Sequence, residues 1–301
     1  MLQNIAEQKE KKVDCLLRIT PGIEAHTHEY IQTGQADSKF GVGLENGRAL
    51  ELINKIEASA FLNFKGLHAH IGSQIFNLES FVKLIEVIFD FGQQVRAKTQ
   101  TVISELNLGG GLGISYTEDD DPPTIKQFIT LITDKIKAAA NRYDYPLPRV
   151  IVEPGRSIVG DAGTTIYRVG SIKEIPGYSR KYVAIDGGMT DNIRPALYGS
   201  EYKVLAAENC LAVDKEQVTV AGKCCESGDI LAEKVMLPEV KPGELIAVPC
   251  TAAYSFALAN NYNKIPRLPI VLVGNGKARI IVKRESYSDL IKNEVIPEDL
   301  E

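Results

Sequence analysis

The feature that most constrains the fold is a regular alternation of short apolar runs with helical patterns between residues 14 and 154. Four runs have the length and composition of buried strands: residues 14–19, 64–71, 103–108 and 149–154. The segments between them carry apolar residues at helical spacing: residues 45–59, 81–95 and 125–142. Strands that alternate with helices form βαβ units, so we expect an α/β fold with a parallel sheet. A closed parallel barrel needs about eight such strands, twice the number found here.

The second half of the chain is rich in β patterns. Six apolar runs are separated by glycine, proline or charged residues: residues 164–175, 181–188, 217–222, 229–237, 244–250 and 269–273. Helical signal is concentrated in residues 252–262. This change of character predicts two domains, a partial (β/α) barrel in residues 1–156 and an all-β domain in residues 157–301.

Composition narrows the possible partners and the cellular compartment. The formal net charge is −5, with 44% hydrophobic and 24% charged residues, which is typical of a globular protein. A mildly acidic surface disfavours nucleic acid and anionic membranes as partners. The first 14 residues lack the apolar core of a signal peptide, and no apolar run is long enough to span a bilayer. The five cysteines include no CxxC pair, so neither a disulfide framework nor a metal site is indicated, and we expect a cytoplasmic protein.

Two histidines lie where the second predicted strand ends. Strand alternation puts His68 and His70 on the same side of the strand, with Ala69 opposite. Parallel α/β folds carry their active residues at the carboxyl ends of strands, where an imidazole can stack on a flat ring or move protons. Two half-buried structural histidines explain the pattern equally well when it is taken by itself.

Two further motifs follow predicted strands. The glycine-rich residues 108–113 can curl backbone N–H groups around an anion, although a flexible turn is the alternative and no standard phosphate motif matches. In the EPGR motif, Glu153 can accept a hydrogen bond from a protonated ring nitrogen, and Arg156 can hold a phosphate or carboxylate. The alternative for this motif is a structural ion pair at a domain boundary.

Three polar segments of the second half are weaker candidates. Residues 186–198 form a polar loop that could bind a charged substrate, or an ordinary Asx-rich turn. Residues 224–229 combine thiols with carboxylates, and a plain loop is the simpler interpretation. Residues 251–254 are expected to open a helix whose N–H groups could meet a phosphate beside the Tyr254 hydroxyl, but a buried structural tyrosine is common.

The motifs in their order along the chain resemble the fold-type III pyridoxal-phosphate decarboxylases. They are RITPG (18–22), DSKFG (37–41), HAHIGSQ (68–74), NLGGGLG (107–113), EPGR (153–156), DGGMTDNIRPALY (186–198), CCESGD (224–229) and AAYSFALANNYN (252–263). They extend over nearly the whole chain, and chance coincidence of so many ordered motifs is very improbable. The GMTDNIRPALY stretch resembles the diaminopimelate decarboxylase branch rather than the ornithine or arginine branches.

The resemblance implies a fold, a cofactor and a reaction. The family fold is a (β/α)8 TIM-type barrel of the alanine racemase-like type plus a C-terminal all-β domain. This chain would supply barrel strands five to eight and most of the β domain. The cofactor would be pyridoxal 5'-phosphate, and the reaction would convert meso-diaminopimelate into L-lysine and CO2. Family members are homodimers with shared active sites.

The resemblance also implies roles for individual residues. Cofactor-binding roles fall on Arg18, His70, Ser73, Gly109, Gly110, Gly111, Glu153, Arg156 and Tyr254. Substrate-binding roles fall on Arg156, Arg194, Tyr198, Glu226 and Tyr254. His70 would stack on the pyridine ring, and Glu153 would hold the ring nitrogen. Cys225 would reach the neighbouring subunit's site and reprotonate the carbon that has lost CO2.

The chain departs from the family pattern in two places. Ala252 stands where family members usually have glycine, and its methyl group would lie near the phosphate. The family's cofactor lysine belongs to a Tyr-Ala-x-Lys motif on the first barrel strand, and that motif does not occur here. We therefore expect an N-terminally truncated decarboxylase whose fragment alone is inactive. A split enzyme, a non-catalytic module and a related basic amino-acid decarboxylase are the alternatives.

Overall fold

The computed structural model of the chain describes residues 1–23, 39–213 and 215–300. Asp37 and Ser38 of the DSKFG motif lie outside the described residues. The chain divides into two compact units. The first, the α/β unit, contains Met1–Ile114 and Asp120–Ile158; the second, the β unit, contains Ser115–Asp119 and Val159–Glu301.

A parallel sheet forms the centre of the α/β unit. Its strands are β1 (Val13–Thr20), β2 (Val42–Gly43), β3 (Leu62–His68), β4 (Glu105–Asn107) and β5 (Arg149–Ile151), in the order β2-β1-β3-β4-β5. All pairs of neighbouring strands are parallel. The four strands expected from the apolar runs are therefore confirmed, and the two-residue β2 was not expected. A strand this short has too few residues to show a pattern.

Helices lie before, between and after these strands, and those between them make the connections that parallel pairing requires. They are α1 (Leu2–Gln8), α2 (Arg48–Glu57), α3 (Glu79–Thr99), α4 (Ile125–Arg142) and α5 (Arg156–Val159). The start of α4 is determined by a capping box, in which the Thr124 hydroxyl accepts from the Gln127 N–H and the Gln127 side chain accepts from the Thr124 N–H. No helix in the described part of the chain is long and apolar enough to cross a membrane.

The core of the α/β unit lies between the sheet and the apolar faces of α2, α3 and α4. Phe81 of α3 is fully buried and meets Phe128 of α4 edge to face, with 4.9 Å between the ring centroids. Leu67 and Leu106 cover the same core from β3 and β4. The aromatic pair thus joins two helices that are far apart in sequence.

The β unit is built on a six-stranded sheet in the order β10-β9-β7-β6-β11-β8. Its strands are β6 (Thr164–Glu174), β7 (Lys181–Ile185), β8 (Leu205–Ala206), β9 (Glu216–Ala221), β10 (Ile230–Leu237) and β11 (Leu245–Pro249). Apart from the parallel pair of β7 and β9, its neighbouring strands are antiparallel. Two short helices, α6 (Arg194–Tyr198) and α7 (Tyr287–Ile291), belong to the same unit.

A separate hairpin follows, formed by β12 (Ile270–Gly274) and β13 (Lys277–Val282). Its two-residue turn has positive φ at Asn275 (52°) and Gly276 (70°). An Asn-Gly pair tolerates this backbone, and such a turn matches the twist of the flanking strands. All six expected β runs thus appear as strands, whereas β8 and β13 were not expected.

The helical pattern expected for residues 252–262 is wrong. These residues form a turn followed by two 3-10 segments, Phe256–Leu258 and Tyr262–Lys264. Tyr254 has a φ of 63° and Asn263 a φ of 54°, in the left-handed region. Residues in this region interrupt a right-handed helix. The left-handed conformation itself costs roughly 1–2 kcal/mol for each residue other than glycine.

The Phe81–Phe128 contact generates a stability prediction. Phe81→Ala should lower the free energy of unfolding by about 3–5 kcal/mol, because it opens a cavity at a fully buried position. Ile129→Ala, on the same helix as Phe128 but 42% exposed, is the matched control and should cost far less. Urea unfolding of the chain checks both variants. Equal losses in the two would contradict the packing described here.

Candidate functional site

The carboxyl ends of β3, β4 and β5 form one edge of the parallel sheet. The register places His68, Asn107 and Ile151 side by side at that edge. The HAHIGSQ motif begins at His68, the NLGGGLG motif begins at Asn107, and the EPGR motif begins two residues after Ile151. Segments expected from the sequence to carry chemistry are therefore neighbours, although they are about 40 residues apart in the chain. We call this group of loops the strand-end cluster.

The glycine loop of the strand-end cluster has no room for side chains. A Cβ atom on Gly109 would lie 2.6 Å from the carbonyl oxygen of Ala69, and Gly109 has a φ of 69°. A Cβ atom on Gly110 would overlap the carbonyl oxygen of Glu153, and one on Gly111 would overlap that of Gly72. The Glu153 N–H donates to the Gly109 carbonyl at 2.8 Å. The loop is thus pressed against both neighbouring segments and offers bare backbone at the sheet edge.

His70 is held as a neutral imidazole. Its Nδ1 accepts a hydrogen bond from the Gly110 N–H at 3.2 Å, so the proton of the ring belongs on Nε2. Burial lowers the pKa of His70, and the positive charge of Arg18 lowers this pKa further. The neutral form is the one that can stack on a flat aromatic ring without burying an extra charge.

A carboxylate lies beside the glycine loop. The Asn107 side-chain amide donates to Glu153 Oε1 at 2.8 Å, and its own oxygen accepts from the Gly109 N–H at 2.9 Å. His68 Nε2 is 3.6 Å from the same Glu153 oxygen and has no hydrogen-bond partner in the described residues. Burial lowers the pKa of His68, which favours its neutral form at neutral pH. The Glu153 side chain is 49% exposed and can accept a donor from outside the protein.

A hydroxyl and a guanidinium complete the strand-end cluster. Arg156 Nη2 donates to Ser73 Oγ at 2.9 Å, and Arg156 is only 6% exposed. Because Ser73 Oγ accepts this bond, its own hydrogen points elsewhere and can be donated to an anion. A buried cation next to a free donor suits a phosphate group. Arg18, at the end of β1, lies over the ring of Phe40 at 4.5 Å.

Residues 1–160 match the family described as pyridoxal-dependent decarboxylase, pyridoxal binding domain. The chain belongs to the pyridoxal-dependent decarboxylase family. The family's match includes the whole strand-end cluster, whose phosphate donors, neutral imidazole and carboxylate are the groups described above. The expected resemblance is therefore confirmed.

Members of this family with similar sequences and structures are diaminopimelate decarboxylases. The chain is 51% identical over 292 residues to the diaminopimelate decarboxylase of Bacillus subtilis. The match covers 97% of this chain and 66% of that protein. Among crystal structures, the M. jannaschii diaminopimelate decarboxylase in co-complex with L-lysine is 33% identical with a TM-score of 0.90, over 99% of this chain and 67% of that one. The Helicobacter pylori enzyme complexed with L-lysine is 32% identical with a TM-score of 0.87, over 97% and 70%. The chain thus spans about two thirds of the length of the curated relatives it matches.

The strand-end cluster fits pyridoxal phosphate by its own chemistry. Gly109, Gly110 and Gly111 offer bare backbone because no side chain fits at these positions. Ser73 and Arg156 offer donors to a phosphate, and Glu153 offers an acceptor to a protonated pyridine nitrogen. Among the described residues the buried His68 Nε2 atom finds no hydrogen-bond partner, which fits a polar site that completes its contacts with a bound group.

The remaining expected site residues lie in the β unit. Arg194, the first residue of α6, is 5% exposed, and its guanidinium lies over the rings of Tyr116 (5.0 Å) and Tyr202 (5.6 Å). It also donates to the Tyr202 hydroxyl. Tyr198 ends the same helix and is half-buried. The arginine expected to grip a substrate carboxylate is therefore held rigidly by two tyrosines.

Cys225 and Glu226 are both exposed on the loop between β9 and β10. The Cys225 N–H donates to Asn263 Oδ1 at 3.0 Å, which ties this loop to the ANNYN segment. Burial and a hydrogen bond to Asp229 raise the pKa of the adjacent Cys224 thiol to about 11. The two neighbouring thiols therefore have different environments, and Cys225 is the accessible one.

Tyr254 does not stand at a helix N-terminus, so the expected helix-dipole contribution to phosphate binding is wrong. It is 45% exposed and lies in a turn. Ala252, the residue that departs from the family glycine, is exposed, and its N–H donates to the Gly160 carbonyl at 3.3 Å. Contacts of Ala252 with Gly163 are so close that a Cβ on that glycine would collide. The methyl group of Ala252 is accommodated by the glycine opposite it.

Two buried polar residues that organise the site were not identified from the sequence. Asn107 bridges Glu153 and the glycine loop. Asp229 accepts the N–H groups of Met189 (2.6 Å) and Cys224 (2.8 Å), and so joins the motif of residues 186–198 to that of residues 224–229. Both residues are part of quoted motifs, NLGGGLG and CCESGD, but a single Asn or Asp before or after a turn has an ordinary local explanation.

The glycine loop generates a second prediction. Gly110→Ala should destabilise the chain by about 1–3 kcal/mol, because the added methyl group collides with the backbone of Glu153. Gly43→Ala is the matched control, since a Cβ there meets nothing within 4 Å. Thermal unfolding of both variants is the measurement. A Gly110→Ala variant as stable as the control would show that the loop is not packed against Glu153.

Proposed function

We propose that this chain forms part of a pyridoxal-phosphate-dependent decarboxylase that converts meso-diaminopimelate into L-lysine and CO2. The observation that carries the proposal is the arrangement at the strand-end cluster. There a tethered carboxylate, a neutral imidazole, a glycine loop and a buried arginine lie together in a chain half identical to a diaminopimelate decarboxylase. The L-lysine present in two of the similar crystal structures is the product that this reaction yields.

The proposed architecture follows that of the relatives. Strands β1, β3, β4 and β5 of the α/β unit would be strands five to eight of a (β/α)8 barrel. Residues 1–156 would be the pyridoxal-binding part, and residues 157–301 the β domain. Among the described residues β2 and β5 are the edge strands of this sheet, which supports the proposal, because the edges of buried-type parallel strands are normally covered. The working enzyme would be a cytoplasmic homodimer with shared active sites.

The residues of the strand-end cluster would hold the cofactor. Glu153 would accept the pyridine N–H, and His70 would stack on the ring. Ser73, Arg156 and the glycine loop would hold the phosphate. When bound, pyridoxal phosphate supplies an electron sink for the bond that breaks as CO2 leaves. Glu153 supports this role because a carboxylate keeps the ring nitrogen protonated, and Asn107 already orients it.

Residues of the β unit would select and process the substrate. Diaminopimelate carries a second carboxylate at its far end, and Arg194 with Tyr198 would bind it, while Glu226 and Tyr254 would contact the rest of the molecule. The thiol of Cys225 would donate a proton to the carbon that has lost CO2. Its exposure supports this role, since a donor that serves a neighbouring subunit must be accessible.

Three alternatives remain open to test. The chain could be one half of a split enzyme, a non-catalytic pyridoxal-binding module, or a decarboxylase of ornithine or arginine. A split enzyme gains activity when the missing strands are supplied as a separate chain. A non-catalytic module gains none, and a related decarboxylase prefers a substrate without the distal carboxylate.

The first functional prediction uses complementation. The chain fused to, or co-expressed with, the family's first four βα units should release CO2 from meso-diaminopimelate, because these units supply the cofactor lysine and close the barrel. In that complete enzyme, Cys225→Ala should slow CO2 release by about 10²-fold or more, because the proton donor is lost. Cys210→Ala is the matched control, since Cys210 is also exposed but lies outside the motifs.

Two outcomes would count against the proposal. A well-folded complemented enzyme that binds pyridoxal phosphate but releases no CO2 favours the non-catalytic alternative. Faster release from ornithine or arginine than from meso-diaminopimelate favours the related decarboxylases. Equal activity of Cys225→Ala and Cys210→Ala would remove Cys225 from the reaction.

The second functional prediction concerns Arg194. In the complete enzyme, Arg194→Lys should raise KM for meso-diaminopimelate by about tenfold or more, because an ammonium cannot reproduce the bidentate fork. Tyr202→Phe is the control, since it removes the hydroxyl that Arg194 donates to and keeps the guanidinium and the packing. Steady-state kinetics separate the effects on KM and kcat. An unchanged KM in Arg194→Lys would show that this residue does not bind the substrate.

A further inference from the structure

Asn107 occupies a singular position in the strand-end cluster. It is the last residue of β4, it is 7% exposed, and its main chain pairs with both neighbouring strands. Its carbonyl accepts the Ala69 N–H at 2.9 Å, which leaves its side chain at a rigidly defined point of the sheet edge. A buried amide needs partners for both of its polar atoms, and Asn107 has found them on two different segments.

The two partners are functionally different. The Asn107 Nδ2 atom donates to Glu153 Oε1 at 2.8 Å, and Asn107 Oδ1 accepts from the Gly109 N–H at 2.9 Å. In the proposed function, Glu153 meets the pyridine nitrogen and Gly109 belongs to the phosphate loop. These groups would contact opposite ends of the cofactor. One buried side chain therefore links the carboxylate to the phosphate loop, in addition to the backbone hydrogen bond from the Glu153 N–H to the Gly109 carbonyl.

We infer that Asn107 is a positioning residue, which orients the Glu153 carboxylate for the pyridine nitrogen and couples it to the glycine loop that holds the phosphate. The inference rests on the proposed cofactor site, but not on the identity of the amino acid that is decarboxylated. Each of the two contacts of the residue 107 side chain requires a particular kind of hydrogen-bonding group. The group facing Glu153 must be a donor, and the group facing Gly109 must be an acceptor, and an amide in this orientation satisfies both at every pH.

Asn107→Asp separates the two contacts. The introduced carboxyl group keeps the acceptor for the Gly109 N–H, but it replaces the donor with a second negative charge beside Glu153. At high pH the two carboxylates repel each other. As the pH falls, the pair binds one shared proton, and a protonated carboxyl group again donates to its neighbour. The loss should therefore be reversed by acid.

The test is the dissociation constant of pyridoxal phosphate for the complete enzyme, measured by absorbance titration from about pH 8.5 to about pH 5.5. Asn107→Asp should weaken binding by about tenfold or more at the alkaline end and recover toward the parent at the acid end. Asn107→Leu, similar in size but without polar atoms, should be weak at every pH. His68, His70 and Arg18 interact electrostatically with this region and are the same in all three proteins. The ratio of variant to parent at each pH therefore removes the part of their effect that the substitution leaves unchanged.

A second measurement needs no cofactor. Asn107→Asp combined with Glu153→Gln restores the hydrogen bond with the donor on the opposite side. At about pH 8.5, the thermal midpoint of this double variant should lie above that of Asn107→Asp alone. This comparison tests the contact itself even where the single variant folds poorly.

The inference is overturned if Asn107→Asp binds the cofactor like the parent at every pH, or like Asn107→Leu at every pH. It is also overturned if the double variant is no more stable than the single one. Failure of the proposed function looks different: the parent enzyme then binds pyridoxal phosphate and shows the acid-reversible defect in Asn107→Asp, but does not release CO2 from meso-diaminopimelate.

Discussion

The shared edge of the parallel strands β3, β4 and β5 is the constraint on which the rest of the site depends. Parallel hydrogen bonding aligns His68, Asn107 and Ile151, so the three loops that follow must leave the sheet at the same place. The glycine loop then lies so close to its neighbours that its contacts exclude every side chain. Strand register thereby determines the positions of His70, Ser73 and Glu153 relative to one another before any ligand binds.

Electrostatic balance at this edge depends on burial as much as on charge. Arg156 is buried and meets a hydroxyl, while the two histidines are kept neutral by desolvation and by the nearby Arg18. An anion brought to Arg156 would therefore meet a cation with little competing water, where an ion pair is stronger than at the surface. The half-exposed Glu153 supplies the complementary negative charge a short distance away.

The loops of the β unit are held in place in a different way, by buried polar side chains that connect one loop to another. Asp229 accepts backbone N–H groups from two motifs, and Arg194 lies between two tyrosine rings. Burial and neighbouring carboxylates raise the pKa of Asp191 to about 6 in the same loop region. Loops with little regular structure can hold their side chains in defined positions in this way. Leaving a buried polar group without a hydrogen bond costs more free energy than ordering the loop around it.

Local pattern was enough to predict an α/β half and a β half, the four strands of the parallel sheet, the bounds of α4 and the membership of the decarboxylase family, because periodicity and ordered motifs are encoded over short spans. It was misleading at residues 252–262, where the positive φ of Tyr254 depends on packing rather than on composition. Only the tertiary structure decided that Asn107 meets Glu153, 46 residues away, and that Arg194 is enclosed by Tyr116 and Tyr202. Such contacts depend on the register of the strands and on where distant parts of the chain meet. Neither can be predicted from a short stretch of sequence.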